Sequence, residues 1–171
     1  GHTGDTPAIG GNGWTIDGYT FAGWTTSPDG SGTKYAPGAS WTANGTLTLY
    51  AQWTPGEAGL TYDGNGATGG KTDPQNGVTD QKVNVRQNGF TRDGYTFTGW
   101  KRADNQQAYG DGQWVTNLTT QPNGIVTMVA QWSANEAHIR YNPNPPAGKT
   151  AGGNGTPNWD GHTGDTPAIG G

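Results

Sequence analysis

Residues 64–69 read GNGATG and match the spacing G-x-G-x-x-G, which in dinucleotide-binding folds lets a tight turn approach a pyrophosphate. That chemistry also needs a helix whose N-terminus faces the phosphates, and the GKTDPQNG that follows cannot start a long one. The glycine spacing before Gly70-Lys71-Thr72 is wrong for a phosphate loop as well, so a hairpin loop is expected. Asp63 opens DGNG in the manner of a calcium loop, but the twelfth position is Pro74 where the loop requires glutamate. SPDGSG around Asp29 could ligate calcium only with groups from elsewhere, such as a neighbouring module. Asp or Asn before Gly is ordinary turn chemistry, and polar turns are expected at both sites. His2, His138 and His162 offer no pair at a ligand spacing, and His2 and His162 are one position of a repeat. There is no Cys, and no Ser stands in a nucleophile-elbow context. No enzyme, metal or cofactor is expected.

Tryptophan is the richest resource of the chain. Exposed Trp and Tyr offer flat apolar faces on which sugar rings can stack, whereas buried ones organise a core poor in Leu and Ile. Trp24, Trp53, Trp100 and Trp132 occupy matched positions in two copies of a motif and are expected in the module core. Trp41 and Trp114 lie in the intervening loop, and Trp159 lies in a Pro- and Gly-rich segment. These three are the candidate contacts for a ligand, namely a glycan or a host protein. Lys near Asn or Asp could form an isopeptide cross-link, but no spacing selects a trio.

Two nested repeats position these residues. GHTGDTPAIGG at residues 1–11 returns at residues 161–171, a period of 160 residues, which marks a window on a longer tandem array. Inside it, NGWTIDGYTFAGW (12–24) matches NGFTRDGYTFTGW (88–100), and TLTLYAQW (46–53) matches IVTMVAQW (125–132). Between these motifs Tyr35 aligns with Tyr109 and Trp41 with Trp114. LTYDGNG from Leu60 likewise matches IRYNPNP from Ile139. The chain thus divides into the C-terminal part of a module (1–56), a complete module (57–135) and the N-terminal part of a third (136–171).

Within a module the hydrophobic period is two. Leu47, Leu49, Ala51 and Trp53 fall on one face, as do Val126, Met128, Ala130 and Trp132, the mark of half-buried strands. In GYTFAGW, alternation sets Tyr19 and Phe21 opposite Thr20 and Trp24. Asn-Gly occurs seven times, enough to supply the positive φ of a tight turn at most strand ends. Residues 82–87 read as a strand, and a short helical turn near 87–91 is the nearest approach to helix. With Gly 32 and Pro 11 of 171 residues, the expected fold is mostly β, with short strands, many turns and little helix.

The pair DGYTFxGW and TLTLYAQW resembles the internalin B-type, or Listeria–Bacteroides, repeat. The resemblance covers both copies and departs in the Gly- and Pro-rich openings and in the longer turn after Trp100. It implies tandem β-grasp-like modules of secreted or wall-attached bacterial surface proteins, used as stalks and in some members for adhesion. An extracellular, cell-surface or cell-wall location follows from it, and it carries no catalytic residues.

A net charge of -4 with scattered Lys and Arg argues against nucleic acid and anionic membranes as partners. The apolar runs are too short for a membrane span. The leading expectation is a non-enzymatic stalk or spacer, and the rival is an adhesin-type binding module. Residues 12–53 alone should bury too little to fold. Residues 137–171 hold the missing half, which is expected to complete a module on a neighbouring copy, head to tail. Closure within one chain is the alternative.

Overall fold

The computed structural model describes residues 1–167, so the last four residues of the second GHTGDTPAIGG lie outside the described part. The described residues form strands and turns without a helix. By their contacts the residues fall into two compact units. One holds Gly1–Thr61, Pro74–Val85 and Gln113–Thr127; the other holds Tyr62–Asp73, Arg86–Gly112 and Met128 onward.

In the first unit, β1 (Tyr19–Thr25) pairs on one side with β2 (Lys34–Tyr35) and on the other with β3 (Tyr50–Pro55), all antiparallel. Residues 4–9 run antiparallel to residues 38–43, with the Ile9 amide donating to the Ala39 carbonyl (2.7 Å) and the Trp41 amide to Pro7 (3.0 Å). The intact repeat begins with β4 (Glu57–Asp63) and the two-residue β5 (Gly69–Gly70). It continues through β6 (Gln75–Val78), which pairs antiparallel with β4, and β7 (Lys82–Asn84). In the second unit, β8 (Phe90–Thr91) pairs with β5, and β9 (Tyr95–Arg102) pairs with β10 (Ala108–Tyr109). Back in the first unit, β11 (Trp114–Thr116) pairs with β7.

The long strand β12 (Ile125–Ala134) lies between β9 and β4 in strand order. It is antiparallel to β9. It runs in the same direction as β4, since Glu57 faces Asn123, Gly59 faces Gly124 and Thr61 faces Thr127. A final hairpin in the second unit joins β13 (Glu136–Ile139) to β14 (Trp159–His162).

Two expectations need correcting. Trp24 shares a face with Phe21, their rings 5.1 Å apart, where strict alternation sets them opposite. The register of β1 against β3 shifts between Phe21 and Gly23, and this bulge, with Gly23 at φ 122°, brings Trp24 back to the core side. Phe97 and Trp100 repeat the arrangement at 5.0 Å. Residues 87–91 form no helical turn. Asn88 accepts from the Phe90 amide through Oδ1, and the chain enters β8. That local side-chain bond competes with helix, as Asn often does.

The core of the intact repeat is dense. Leu60, Val85, Trp100, Val126, Met128 and Ala130 are each at most 2% exposed. Their counterparts in residues 1–56 are less covered. Ile9, Leu47, Leu49 and Ala51 are only half-buried. The matched motif also stays short there: strand begins at Ile125 in one copy but only at Tyr50 in the other. Residues 46–49 have the same alternation as 125–128, but among the described residues no strand equivalent to β4 lies beside them. A strand needs a ladder partner to satisfy its amides, so pattern alone does not extend it.

Candidate functional site

Each copy builds an aromatic cluster from the same positions. In the intact repeat, Trp100 meets Tyr62 and Phe97 at 5.0 Å each and Phe90 at 6.3 Å, all edge-on. Trp132 meets Phe97 at 5.8 Å and donates from Nε1 to the Gly64 carbonyl (2.9 Å). Asn65, held at φ 48°, donates from Nδ2 to the Ala130 carbonyl (2.8 Å). GNGATG is thus a loop that fastens itself to β12. Asp63 is used inside this turn, accepting from the Asn65 amide, as Asp29 accepts from Ser31.

In residues 1–56, Phe21 contacts Trp53 at 5.9 Å, and Trp14 stands on Trp24 at 6.0 Å as Phe90 does on Trp100. The position of Tyr62 has no counterpart in residues 1–56. What remains is an open groove of about 320 Å³ lined by Ile9, Trp14, Trp24, Trp41, Leu47 and Leu49. Trp14 is 67% exposed. The sequence reading misses Trp14 as a site residue; the signal that points to it is its alignment with the aromatic Phe90.

The predicted core residues separate by position in the motif: Trp100 (1% exposed) and Trp24 (9%) are buried, whereas Trp53 and Trp132 are half-buried. The candidate contact residues do not converge. Trp41 stands opposite Pro7, the level at which Val115 stands opposite Val83, so it lines the groove. Trp114, its partner in the sequence alignment, is 65% exposed on β11. The pairing with residues 4–9 sets this register, and the shared residue type does not. Trp159 sits opposite Ile139, with its ring packed so closely over Gly161 that a Cβ there would lie 2.3 Å from it.

The final hairpin carries a charged face. The His138 Nδ1 lies 2.7 Å from Asp160 Oδ1, Arg140 donates to the same oxygen (2.6 Å), and Glu136 lies 3.5 Å from His138 Nε2. The bonds from His138 and then Arg140 hold the Asp160 carboxyl below the usual carboxylate range. Side chains alternate along β13, so Ala137 and Ile139 fall on the opposite, apolar face.

A third constellation occurs twice, once in each unit. Gly56 donates its amide to Gly18 (2.6 Å) and accepts from the Thr79 amide (2.9 Å) and hydroxyl (3.2 Å). In the second unit, Asn135 donates to Gly94 (2.9 Å) and accepts from the Thr163 amide (2.8 Å) and hydroxyl (3.4 Å). Gly18 and Gly94 have φ near +80°, and a Cβ on either would collide with the facing threonine. These are the links from each repeat to the opening of the next.

One element differs. Tyr19 donates to Asp80 Oδ2 (2.5 Å), and Asn117 donates to Asp80 Oδ1 (2.8 Å). The residue facing Tyr95 is Gly164, which has no carboxylate. The Tyr19 and Asn117 bonds hold the Asp80 carboxyl below its ordinary range. Its stabilisation is therefore present above the unfolded value, about 3.9, and lost as pH falls through the lower folded value. The Tyr19 hydroxyl is raised by the same bond, so its share is lost as pH climbs past the tyrosine range. Asp80→Asn should flatten the acid limb of the unfolding midpoint plotted against pH; an unchanged limb would remove Asp80 from this role.

The model of the Listeria–Bacteroides repeat domain matches residues 5–52 and 59–131. Internalin H of Listeria monocytogenes is 36% identical over 143 residues, which cover 82% of the chain and 23% of that protein. A provisionally named Gly-rich membrane protein of Evansella cellulosilytica is 34% identical over 136 residues, covering 74% of the chain and 15% of that protein. The chain spans less than a quarter of either relative. No solved structure matches it.

Proposed function

From its membership of the Listeria–Bacteroides repeat family, we propose that the chain is a non-enzymatic stalk or spacer segment of a bacterial cell-surface protein. The observation that carries this reading is the twice-repeated link, Gly18–Gly56–Thr79 and Gly94–Asn135–Thr163. Repeats joined by nearest-neighbour contacts extend by duplication, with each new copy using the same link. The 160-residue period supports it, because copying suits a part whose number sets length. The names of the relatives, an internalin and a membrane protein, favour a location at the cell surface.

Small-angle scattering on chains with one, two and three 160-residue units tests it. Maximum dimension is expected to grow by equal increments. Tight, specific binding of a host ligand by one unit, with no gain in reach from more, would overturn it. The second reading, an adhesin, draws on Trp114, which is 65% exposed. Trp114→Ala should change stability by no more than about 0.5 kcal/mol, as is usual for exposed positions. A loss of glycan or matrix-protein binding with that fold intact would favour adhesion over the stalk.

A further inference from the structure

We infer that the junctions between repeats are of two kinds in alternation, and that Tyr19, Asp80 and Asn117 form a latch fitted to one kind and omitted from the other. Both junctions share the backbone link, Gly18–Gly56–Thr79 in the first unit and Gly94–Asn135–Thr163 in the second. They differ at the tyrosine after the glycine and at the residue after the threonine. In the first junction the Tyr19 hydroxyl donates to Asp80 Oδ2 of the following repeat. Asn117 completes the latch: it donates from Nδ2 to Asp80 Oδ1 (2.8 Å) and accepts the Asp80 amide at its own Oδ1 (2.7 Å). In the second junction Gly164 stands in the place of Asp80 and faces Tyr95. The Tyr95 ring lies instead under Arg92 of its own repeat, 3.7 Å from the guanidinium carbon, where the first junction has Ile16.

The backbone marks the latch as an added feature. The turn after the threonine has positive φ, and Gly4 and Gly164, one position of the 160-residue repeat, supply it at 93° and 91°. Asp80 holds the same place at φ 63°, and Asn117 lies at φ 54°. Glycine adopts such angles freely, whereas a side chain makes them costly, and strain of this kind persists where something else holds it. In residues 1–56 the place of Asn117 belongs to Ala43, whose carbonyl accepts the Gly4 amide (2.8 Å). Glycine and alanine have no side-chain oxygen or nitrogen with which to build the latch, so its omission is a matter of residue identity. The two residues at positive φ in the intact repeat's half of the junction are the two that bond each other and Tyr19. With one latched junction per 160 residues, the long period is mechanical as well as textual.

This deepens the stalk reading and rests on it for the purpose of the latch: a stalk so built yields first at every second joint.

Amide hydrogen exchange in the 171-residue chain tests the latch, with protection followed at Gly56 and Thr79 for one junction and at Asn135 and Thr163 for the other. Tyr19→Phe removes one hydroxyl and keeps the ring. It should speed exchange at Gly56 and Thr79 by about fivefold, the worth of a single hydrogen bond. Asp80→Gly, which installs the residue of the other junction, should speed the same two amides at least as much. Tyr95→Phe should leave Asn135 and Thr163 unchanged. The Val85 amide, bonded to the Gln113 carbonyl within the first unit (2.8 Å), should keep its protection in all three variants. Exchange at Gly56 and Thr79 unmoved by Tyr19→Phe and Asp80→Gly overturns the inference. So does an equal acceleration at Asn135 and Thr163 in Tyr95→Phe, which would make the junctions alike. An equal loss at Val85 also overturns it, because the bonds would then hold the whole repeat rather than the joint. None of these results alters the growth of maximum dimension with copy number, so the stalk reading stands or falls separately by scattering.

Discussion

Trp100→Ala should destabilise the chain by about 3–5 kcal/mol, the cost of removing a large aromatic from a core that cannot collapse around the void. Trp100 is 1% exposed and meets the rings of Tyr62, Phe90 and Phe97. Its indole Nε1–H is buried without a hydrogen-bond partner, a standing cost that the substitution removes, which places the expected loss toward the lower end of the range. Trp100→Phe, which keeps part of the ring contact and also deletes the N–H, should lose less than half as much. Trp24→Ala should also lose less, because Trp24 is 9% exposed, has no counterpart of Tyr62 and already donates to the Gly10 carbonyl (3.0 Å). Urea unfolding followed by far-ultraviolet circular dichroism reads all three. Equal losses at Trp24 and Trp100 would mean that the two copies are packed alike.

Gly18→Ala should cost about 2–4 kcal/mol through two separate effects. At φ 81° an L residue is strained, worth about 1 kcal/mol or more. The new Cβ would also lie 2.6 Å from Thr79 Cγ2, and Thr79 is 8% exposed and hydrogen-bonded to Gly56, so it cannot retreat freely. Overpacking of this kind typically adds about 1–3 kcal/mol. Gly38→Ala isolates the first effect, because its φ is 83° and nothing lies within 4 Å of its Cβ. It should lose only about 1 kcal/mol. Matching losses at the two glycines, measured by urea midpoint, would show that Thr79 yields and that the link is loose.

The turn at the start of the eleven-residue repeat shows how much local sequence settles. His2 and Asp5 exchange amide bonds of 2.7 and 3.1 Å, and His162 and Asp165 repeat them at 2.7 and 3.0 Å. Gly4 and Gly164 have φ 93° and 91°. Identical text folds identically here although one copy pairs with residues 38–43 and the other leaves a hairpin, because every group involved lies within four residues. Gly provides the positive φ and Asp the nearby acceptor, so nothing distant is required.

Strand length, face and register are another matter. Leu47 and Leu49 have the same alternation as Val126 and Met128, but only the latter pair became a buried strand, since only they have β4 alongside. Alternation cannot reveal a bulge, so it sets Trp24 opposite Phe21, whereas the Phe21/Gly23 shift puts both on one face. Likewise residue identity aligned Trp41 with Trp114, whereas pairing set Trp41 level with Val115.

The sequence by itself therefore determined the repeat, its period, its family, its β character and the turns, all of which depend on residue type and short-range geometry. Tertiary structure alone decided which copy closes its core, where each tryptophan points, and that a threonine from the next repeat locks onto the glycine of the last. Those outcomes depend on whether a distant strand arrives to pair the backbone and cover the apolar face. A strand's worth is set by its neighbour, and GHTGDTP has different neighbours at residues 1–7 and 161–167.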